Sequence, residues 1–224
     1  MVENDESEAL YSARVPEQFK GLFLKAQQYV KEFFGKESRD PTKGEIQIGG
    51  QRYVLLSAIS VPAIRKEVSK SLGEEMANLI IYNIGRACGL NDAKIYHKAM
   101  NVQDPVEKLS AGPIQFSFRG FAFVDIFPES APSPDENYFL IYDHPNSFEL
   151  EPLEGLAKPN KPICHFNAGY SAGWCTESFG VPLEAREIMC KATGAKTCRF
   201  VMAHKNRIMD HLTKQMIERY IKLK

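Results

Sequence analysis

Apolar residues follow two different periods along the chain. Intervals of three and four, typical of amphipathic helices, occur over residues 16–35, 60–73, 76–89, 92–100, 164–179 and 207–224. Alternating apolar and polar residues, or short β-rich runs, predict strands over residues 113–118, 121–127, 138–142, 184–190 and 198–203. Two more β-rich runs flank Gly49 and Gly50, a favoured two-residue turn, and predict a hairpin over residues 44–58.

The order of these elements predicts the fold class. Helices come first, strands occupy the middle and the end, and no ten-residue helix separates successive strands. We therefore expect an α+β fold with a mainly antiparallel sheet and a closing helix. The expected divisions are a mobile acidic tail (1–14), N-terminal helices and hairpin (15–112), a β-rich domain (113–205) and a C-terminal helix (206–224).

Composition narrows the classes of protein to which this chain can belong. Of its 224 residues, 44% are hydrophobic and 25% are charged, as in an ordinary globular protein. Its 28 basic residues balance 28 acidic ones, so general binding to nucleic acid is not expected. Apolar runs fall far below the roughly 20 residues of a membrane span, and the acidic start is unlike a signal peptide. We expect a cytoplasmic protein whose cysteines do not form disulfides.

The first predicted helix carries a wide aromatic stripe that includes Phe19, Phe23 and Phe33. Two interpretations of this stripe are open: the helix packs on its own domain, or it packs against a second subunit. Under the second interpretation, this helix and the hairpin at residues 44–58 form the interface of a homodimer.

Three cysteines and a glutamate form the most informative group of residues. Cys190 and Cys198 lie at the mouth of the last predicted hairpin, where strand spacing brings them within about 5 Å of each other. With Cys164 and Glu187 they can supply three thiolates and one carboxylate, a closed shell for a structural zinc ion. Glu187 and Cys190 are three residues apart, so they need a bulge to face the same way. The alternative is that the cysteines are small buried hydrophobic residues.

Short motifs connect this group to a known family. They are GYSAGW at residues 169–174, FG at 179–180, EIMC at 187–190 and KTCR at 196–199. They resemble the vinyl-4-reductase domain in the sensory modules of phenol- and toluene-responsive bacterial activators. Upstream, GEI at 44–46, QRYVLL at 51–56, IRKE at 64–67 and LG at 72–73 resemble the dimer-forming segment of those modules. The resemblance covers about residues 44–205 and implies zinc on Cys164, Glu187, Cys190 and Cys198, and a homodimer.

The helix predicted over residues 164–179 combines small and aromatic residues. Its small residues would let a neighbouring element approach closely, and Tyr170 and Trp174 share a stripe. One interpretation is ordinary core packing. The resemblance implies instead an apolar cavity for a small aromatic or lipid-like molecule. The ligand-binding residues would then be Phe116, Phe121, Tyr142, Tyr170, Gly173 and Trp174.

The phenol sensors of this family hold the ligand hydroxyl with a histidine and a tryptophan on two successive strands. This chain has Gln115 or Phe116 at the first place and Ile141 or Tyr142 at the second. The difference favours a more apolar ligand, or none. His144 lies in an Asp-His-Pro-Asn sequence typical of turns, and no catalytic role is expected for it.

Three functions follow from these features. The first is a zinc-containing dimeric protein that senses or binds a small hydrophobic molecule, without an attached output domain, so that residues 207–224 would recruit a protein partner. The second is a structural or trafficking adaptor, since the domain also resembles TRAPP trafficking subunits in fold, and a cavity filled by its own side chains would favour it. The third is an accessory role in tetrapyrrole vinyl reduction. Reduction needs a hydride source, and because no nucleotide-binding glycine motif is present, we do not expect an enzyme.

Overall fold

The computed structural model describes residues 9–153 and 159–223. The α-helices of this part are Glu17–Gly35 (α1), Ser60–Leu72 (α2), Glu74–Ala99 (α3), Pro105–Phe118 (α4), His165–Phe179 (α5), Ile208–His211 (α6) and Lys214–Ile221 (α7). The strands are Ala13–Arg14 (β1), Ser38–Asp40 (β2), Glu45–Ile48 (β3), Gln51–Tyr53 (β4), Val124–Ile126 (β5), Phe139–His144 (β6), Leu183–Met189 (β7) and Cys198–His204 (β8). Two 3₁₀ turns span Phe148–Leu153 and Lys191–Thr193.

The strands form two sheets. The larger has the order β1-β5-β6-β8-β7, and the smaller has the order β2-β3-β4. All neighbours are antiparallel except β1 and β5, which are parallel. The predicted α+β class with a mainly antiparallel sheet is confirmed.

The large sheet has a different cover on each face. On β6, Leu140 and Tyr142 point into the main core with α3, α4 and α5. Ile141, between them, points to the opposite face and packs with Ile208 and Tyr220 of α6 and α7. This alternation follows from the two-residue period of a strand. The inner face therefore holds the main core, and the C-terminal helices cover the outer face.

Helices α3 and α5 cross in close contact through four glycines. A Cβ atom on Gly85, Gly89, Gly169 or Gly173 would lie only 2.0–2.2 Å from a carbonyl oxygen of the other helix. Only glycine allows this approach of two backbones. Gly173 therefore faces α3, which contradicts its predicted place among the ligand-binding residues.

Residues 113–118 form part of helix α4, so the predicted strand there is wrong. The helix begins at Asp104, whose side chain accepts hydrogen bonds from the backbone N–H groups of Val106 and Glu107, and Pro105 occupies its first turn. The helix is buried on several sides, so apolar residues occur at almost every spacing and imitate a strand. The proposed division between residues 112 and 113 falls inside this helix.

Three further boundaries differ from the predictions. Residues 92–100 are not a separate helix, because α3 runs without a break through Ala99. The C-terminal segment is two helices, because Thr213 starts α7 by accepting a hydrogen bond from the N–H of Met216. Of the predicted mobile tail, residues 1–8 lie outside the described residues, whereas Ala13–Arg14 pairs with β5.

The aromatic stripe of α1 is buried within its own chain. Phe23 and Val30 are fully buried, and Phe33 packs edge-on against Tyr96 of α3. The interpretation in which this stripe contacts a second subunit is therefore wrong for α1.

Candidate functional site

The four predicted metal ligands converge in the structure. The ligand atoms of Cys164, Glu187, Cys190 and Cys198 all lie within 4.8 Å of one another. Cys164 ends the loop before α5, and Glu187 lies on β7. Cys190 follows that strand, and Cys198 begins β8. A register shift between Glu187 and Met189 provides the bulge that the spacing requires.

The cluster is buried and internally hydrogen-bonded. The Sγ atoms of Cys164 and Cys198 are 3.7 Å apart, and those of Cys198 and Cys190 are 4.0 Å apart. The Glu187 carboxylate accepts a hydrogen bond of 2.8 Å from the N–H of Cys164. Burial raises the pKa of Glu187 to about 9, whereas hydrogen bonds from the thiols of Cys164 and Cys198 lower the pKa of Cys190. Three buried sulfurs and a partly buried carboxylate are a donor set that zinc prefers.

A second group of polar residues orients the start of α5, next to the cluster. The buried carboxylate of Glu149 accepts hydrogen bonds from the N–H groups of Phe166 and Asn167 at 3.0 and 2.9 Å. The hydroxyl of Ser147 lies 3.7 Å from Cys164 Sγ. The same hydroxyl accepts a hydrogen bond from the side-chain amide of Asn167. These contacts fix the turn that presents Cys164. Sequence reasoning missed them because Ser147 precedes, and Glu149 lies in, a short 3₁₀ turn whose sequence has no apolar period.

An apolar cavity lies between the inner face of the large sheet and helices α4 and α5. Three of the predicted ligand-binding residues, Phe116, Tyr142 and Trp174, line it. The rest of the lining is Leu109, Gly112, Pro113, Val124, Ile126, Leu140, Ser171, Cys175 and Met202. Its volume is about 20 Å³, which is room for roughly one water molecule.

The other predicted aromatic residues form the layer next to this cavity. Tyr170 packs edge-on against both Phe116 and Phe121, with ring centroids 5.1 and 5.3 Å apart. Its hydroxyl donates a 2.8 Å hydrogen bond to the buried carboxylate of Asp92, which also pairs with Arg119. Phe121 and Tyr170 thus hold the rings that line the cavity.

His144, at the end of β6, is the residue that sequence reasoning set aside. It is completely buried, and its ring lies against Phe116, Tyr142 and Phe200, with centroids 5.2, 5.3 and 4.6 Å away. Neither ring nitrogen has a hydrogen-bond partner among the described residues. Burial lowers the pKa of His144 to about 3, so the ring is neutral at pH 7. Local sequence carries no signal of this, since the turn begins just after His144.

Fold and site together define a class: an α+β module in which a cysteine cluster and an aromatic cavity share one helix. Two family models match successive parts of the chain. Residues 37–128 match the family described as an activator of aromatic catabolism, and residues 147–203 match the vinyl-4-reductase domain. The resemblance to the sensory modules that contain this domain is therefore confirmed.

Individual relatives agree with this class. The chain is 24% identical over 179 residues to the phenol regulator MopR of Acinetobacter guillouiae, covering 80% of the chain and 32% of MopR. It is 24% identical over 160 residues to the transcriptional regulatory protein XylR of Pseudomonas putida, covering 71% of the chain and 28% of XylR. It thus spans about a third of the length of these curated relatives, both of which are named as regulators.

A solved structure shares the fold. The crystal structure of the phenol-responsive sensory domain of the transcription activator PoxR with phenol superposes with a TM-score of 0.73 at 20% identity. The match covers 91% of this chain and 98% of that one. Among the described helices, none is long and apolar enough to cross a membrane.

Proposed function

We propose that the chain is a zinc-stabilised, homodimeric sensing module for a small aromatic molecule that carries one hydroxyl group. The observation that carries the proposal is His144, a fully buried ring with two unpartnered nitrogens beside the cavity residues Phe116 and Tyr142. The names of MopR, a phenol regulator, and of the PoxR sensory domain support the ligand class.

The metal part of the proposal rests on the chemistry of the donor set. Cys164, Cys190 and Cys198 would bind zinc through sulfur, and Glu187 through one carboxylate oxygen. Four protein ligands fill a tetrahedral shell, so the ion would serve structure and would not activate water. It would join the end of β7, the start of β8 and the start of α5.

The ligand part rests on the cost of a buried polar group. An imidazole nitrogen buried without a partner loses the hydrogen bonds that water would supply, at about 1–3 kcal/mol. A phenolic hydroxyl can restore one of them, because neutral His144 offers one nitrogen as an acceptor and the other as a donor. Phe116, Tyr142 and Trp174 would surround the ring of the ligand.

The small size of the cavity sets a condition on this proposal. A volume of about 20 Å³ does not hold an aromatic ring, so binding requires side chains to move apart. A free energy of reorganisation would then reduce the affinity. We expect slow association, limited by opening of the wall between α4 and α5.

The small size of the cavity favours a second candidate, the structural or trafficking adaptor. A cavity of this size is nearly filled by its own side chains, as an adaptor would require. Two other elements of the first candidate stay predictions: the cytoplasmic location and the protein partner of the C-terminal helices.

Native mass spectrometry and thermal melting of the full chain separate the two candidates. We expect one zinc per chain, and a rise in Tm with phenol that is larger than with toluene. Saturation at 100 times Kd stabilises a protein by about 2.7 kcal/mol. If neither compound binds or changes Tm, the sensing proposal is wrong and the adaptor is favoured.

A further inference from the structure

Helix α4, one wall of the cavity, has a weak point at Gly112 and Pro113, both of which line the cavity. Proline has no N–H group, so Pro113 cannot donate the helical hydrogen bond to the carbonyl of Leu109. Glycine and proline are also the two poorest helix formers, and most sharp bends in helices occur at proline. The helix therefore bends most easily at this point, which divides it into a first half (105–112) and a second half (113–118).

The first half of α4 is held from two sides. The indole N–H of Trp174 on α5 donates to the carbonyl of Lys108 at 2.9 Å, and Lys25 of α1 pairs with Glu107 at 2.7 Å. A Cβ atom on Gly112 would lie only 2.8 Å from the Trp174 ring, so the indole packs directly on the backbone of the helix. These contacts fix the first half against α5 and α1.

The second half of α4 ends in a buried group that we name the polar clamp: Tyr53, Asp92, Arg119 and Tyr170. Arg119 follows the last residue of α4, and its guanidinium pairs with the carboxylate of Asp92 on α3 at 3.3 Å. The hydroxyl of Tyr170 on α5 donates to Asp92 at 2.8 Å, and Arg119 donates to the hydroxyl of Tyr53 on β4 at 3.0 Å. The side chains of Arg119 and Asp92 are only 10% and 8% exposed, so water does not readily replace either partner.

The polar clamp joins a movable element to a rigid one. Helices α3 and α5 are in backbone contact through four glycines, so Asp92 and Tyr170 belong to one rigid unit. Helix α4 has few other contacts with α3. Tyr170 also packs edge-on against Phe116, a cavity residue on the second half of α4, with ring centroids 5.1 Å apart. Outward movement of the second half would therefore separate Phe116 from Tyr170 and Arg119 from Asp92 together.

We propose that the polar clamp is the gate of the cavity. The second half of α4 swings outward about Gly112 and Pro113, and the pair formed by Asp92 and Arg119 must separate before the cavity admits a ring. This inference rests on the proposed function, in which binding requires the wall to open, and it assigns the part of the wall that moves. Asp92 and Arg119 act as positioning residues, because they set the rate of opening without contact with the ligand.

Chemical labelling of Cys175 measures this opening without any ligand. Cys175 lines the cavity and is only 6% exposed, so a thiol reagent reaches it when the wall opens. The probe is iodoacetamide on the full, zinc-loaded chain, with each cysteine followed by peptide mass mapping. The double variant Asp92→Asn/Arg119→Met removes both charges at once, so no buried charge loses its partner. We expect its Cys175 to be labelled about 10-fold faster, or more, than in the unmodified protein.

Two controls separate gating from a general loss of stability. Glu107→Gln breaks the ion pair with Lys25 on the first half of α4, which does not move, so it should leave the labelling of Cys175 unchanged. Cys164 and Cys198 of the cysteine cluster are fully buried and become labelled when the whole chain unfolds. They should therefore stay unlabelled while Cys175 reacts, a difference that a merely structural role of the clamp would not produce.

If the double variant unfolds and all its cysteines react together, Arg119→Lys decides by the same comparison, because it keeps the charge but replaces the planar guanidinium with a single ammonium group. Folded variants in which Cys175 reacts no faster than in the unmodified protein would overturn the gate, whatever the response to phenol. Faster labelling of Cys175 alone would support the gate even if phenol fails to raise Tm, a result that counts only against the proposed ligand.

Discussion

The cysteine cluster and the aromatic cavity share helix α5 and strand β8, but their polar groups are in opposite situations. In the cluster, Cys164, Glu187 and Cys198 point toward one another and exchange hydrogen bonds. At the cavity, His144 is buried among aromatic rings, and no described residue hydrogen-bonds to it.

These opposite situations determine what each region contributes to the protein. Donor atoms that converge can be satisfied together by one ion, and the binding energy of that ion becomes folding energy. A polar ring that faces only apolar groups costs stability until a partner arrives from outside. We therefore expect changes in the cluster to alter stability and changes at the cavity to alter the response to a ligand.

The largest effect should come from Cys198→Ser. Structural zinc sites contribute roughly 10–16 kcal/mol of apparent binding free energy in small domains, so loss of a thiolate should remove the metal and much of the stability. A loss of about 4 kcal/mol alone lowers Tm by roughly 8–16 °C in a chain of this size. Native mass spectrometry and thermal melting measure both effects.

Cys175→Ser is the control for that variant. Cys175 is buried in the cavity wall and lies outside the cluster, so its replacement should leave zinc at one ion per chain. Full zinc occupancy in Cys198→Ser would show that the cluster is not the metal site.

The cluster could be predicted from sequence because metal binding depends on residue types, and these are read directly from the sequence. Cysteines at a hairpin mouth, together with the family motifs, identify all four donors, and even the need for a bulge at Glu187 follows from the strand period. The cavity is different, since nothing local tells whether the nitrogens of His144 find a partner. That depends on which side chains from β8 and α4 surround the ring.

The same limit explains why the aromatic stripe of α1 was open to two interpretations. An amphipathic stripe shows that a helix is covered, but not by what. The stripe of α1 is covered by its own chain, and the apolar residues of α2 are not. Helix α4 was missed for a related reason, because burial on several sides removes the helical period from its sequence.

The second effect should be a loss of ligand selectivity in His144→Leu. If His144 hydrogen-bonds to a phenolic hydroxyl, the unmodified protein should prefer phenol over toluene by about 1–3 kcal/mol, or roughly 5–150-fold in Kd. The variant should bind both equally weakly or equally well. Isothermal titration calorimetry with the two compounds measures this preference.

His144→Leu should also retain its zinc and its Tm without ligand, because the change removes a buried unpartnered group and no hydrogen bond. This result would separate the cavity from the cluster. An unchanged preference for phenol in the variant would exclude His144 as the anchor.

The third effect should be a loss of folding stability at acid pH. The pKa of His144 is about 3 in the folded chain and about 6.5 when unfolded, so below pH 6.5 the unfolded state binds more protons. Its contribution is fully present above pH 6.5 and is lost as the pH falls toward 3. Between pH 6.5 and 5 this one group should cost about 1.6 kcal/mol.

Denaturant unfolding of the unmodified protein and of His144→Phe at these two pH values isolates that contribution. Metal release and the buried His97 and His165, whose pKa values burial also lowers to about 4, affect both proteins alike. Equal losses of stability in the two proteins would mean that His144 is charged or exposed when folded.

The smallest effect should be a change in the fluorescence of Trp174. Trp174 is the single tryptophan of the chain; it lines the cavity, and its indole N–H donates to the carbonyl of Lys108 at 2.9 Å. A ring that enters beside the indole should change its fluorescence slowly, because the wall must open first.

Ser171→Leu would fill the cavity from α5, because Ser171 lines the cavity. A larger side chain at position 173 would not fill it, because Gly173 faces α3. In the Ser171→Leu variant phenol should leave the fluorescence unchanged while zinc is retained. An equal fluorescence change in both proteins would place the ligand outside this cavity.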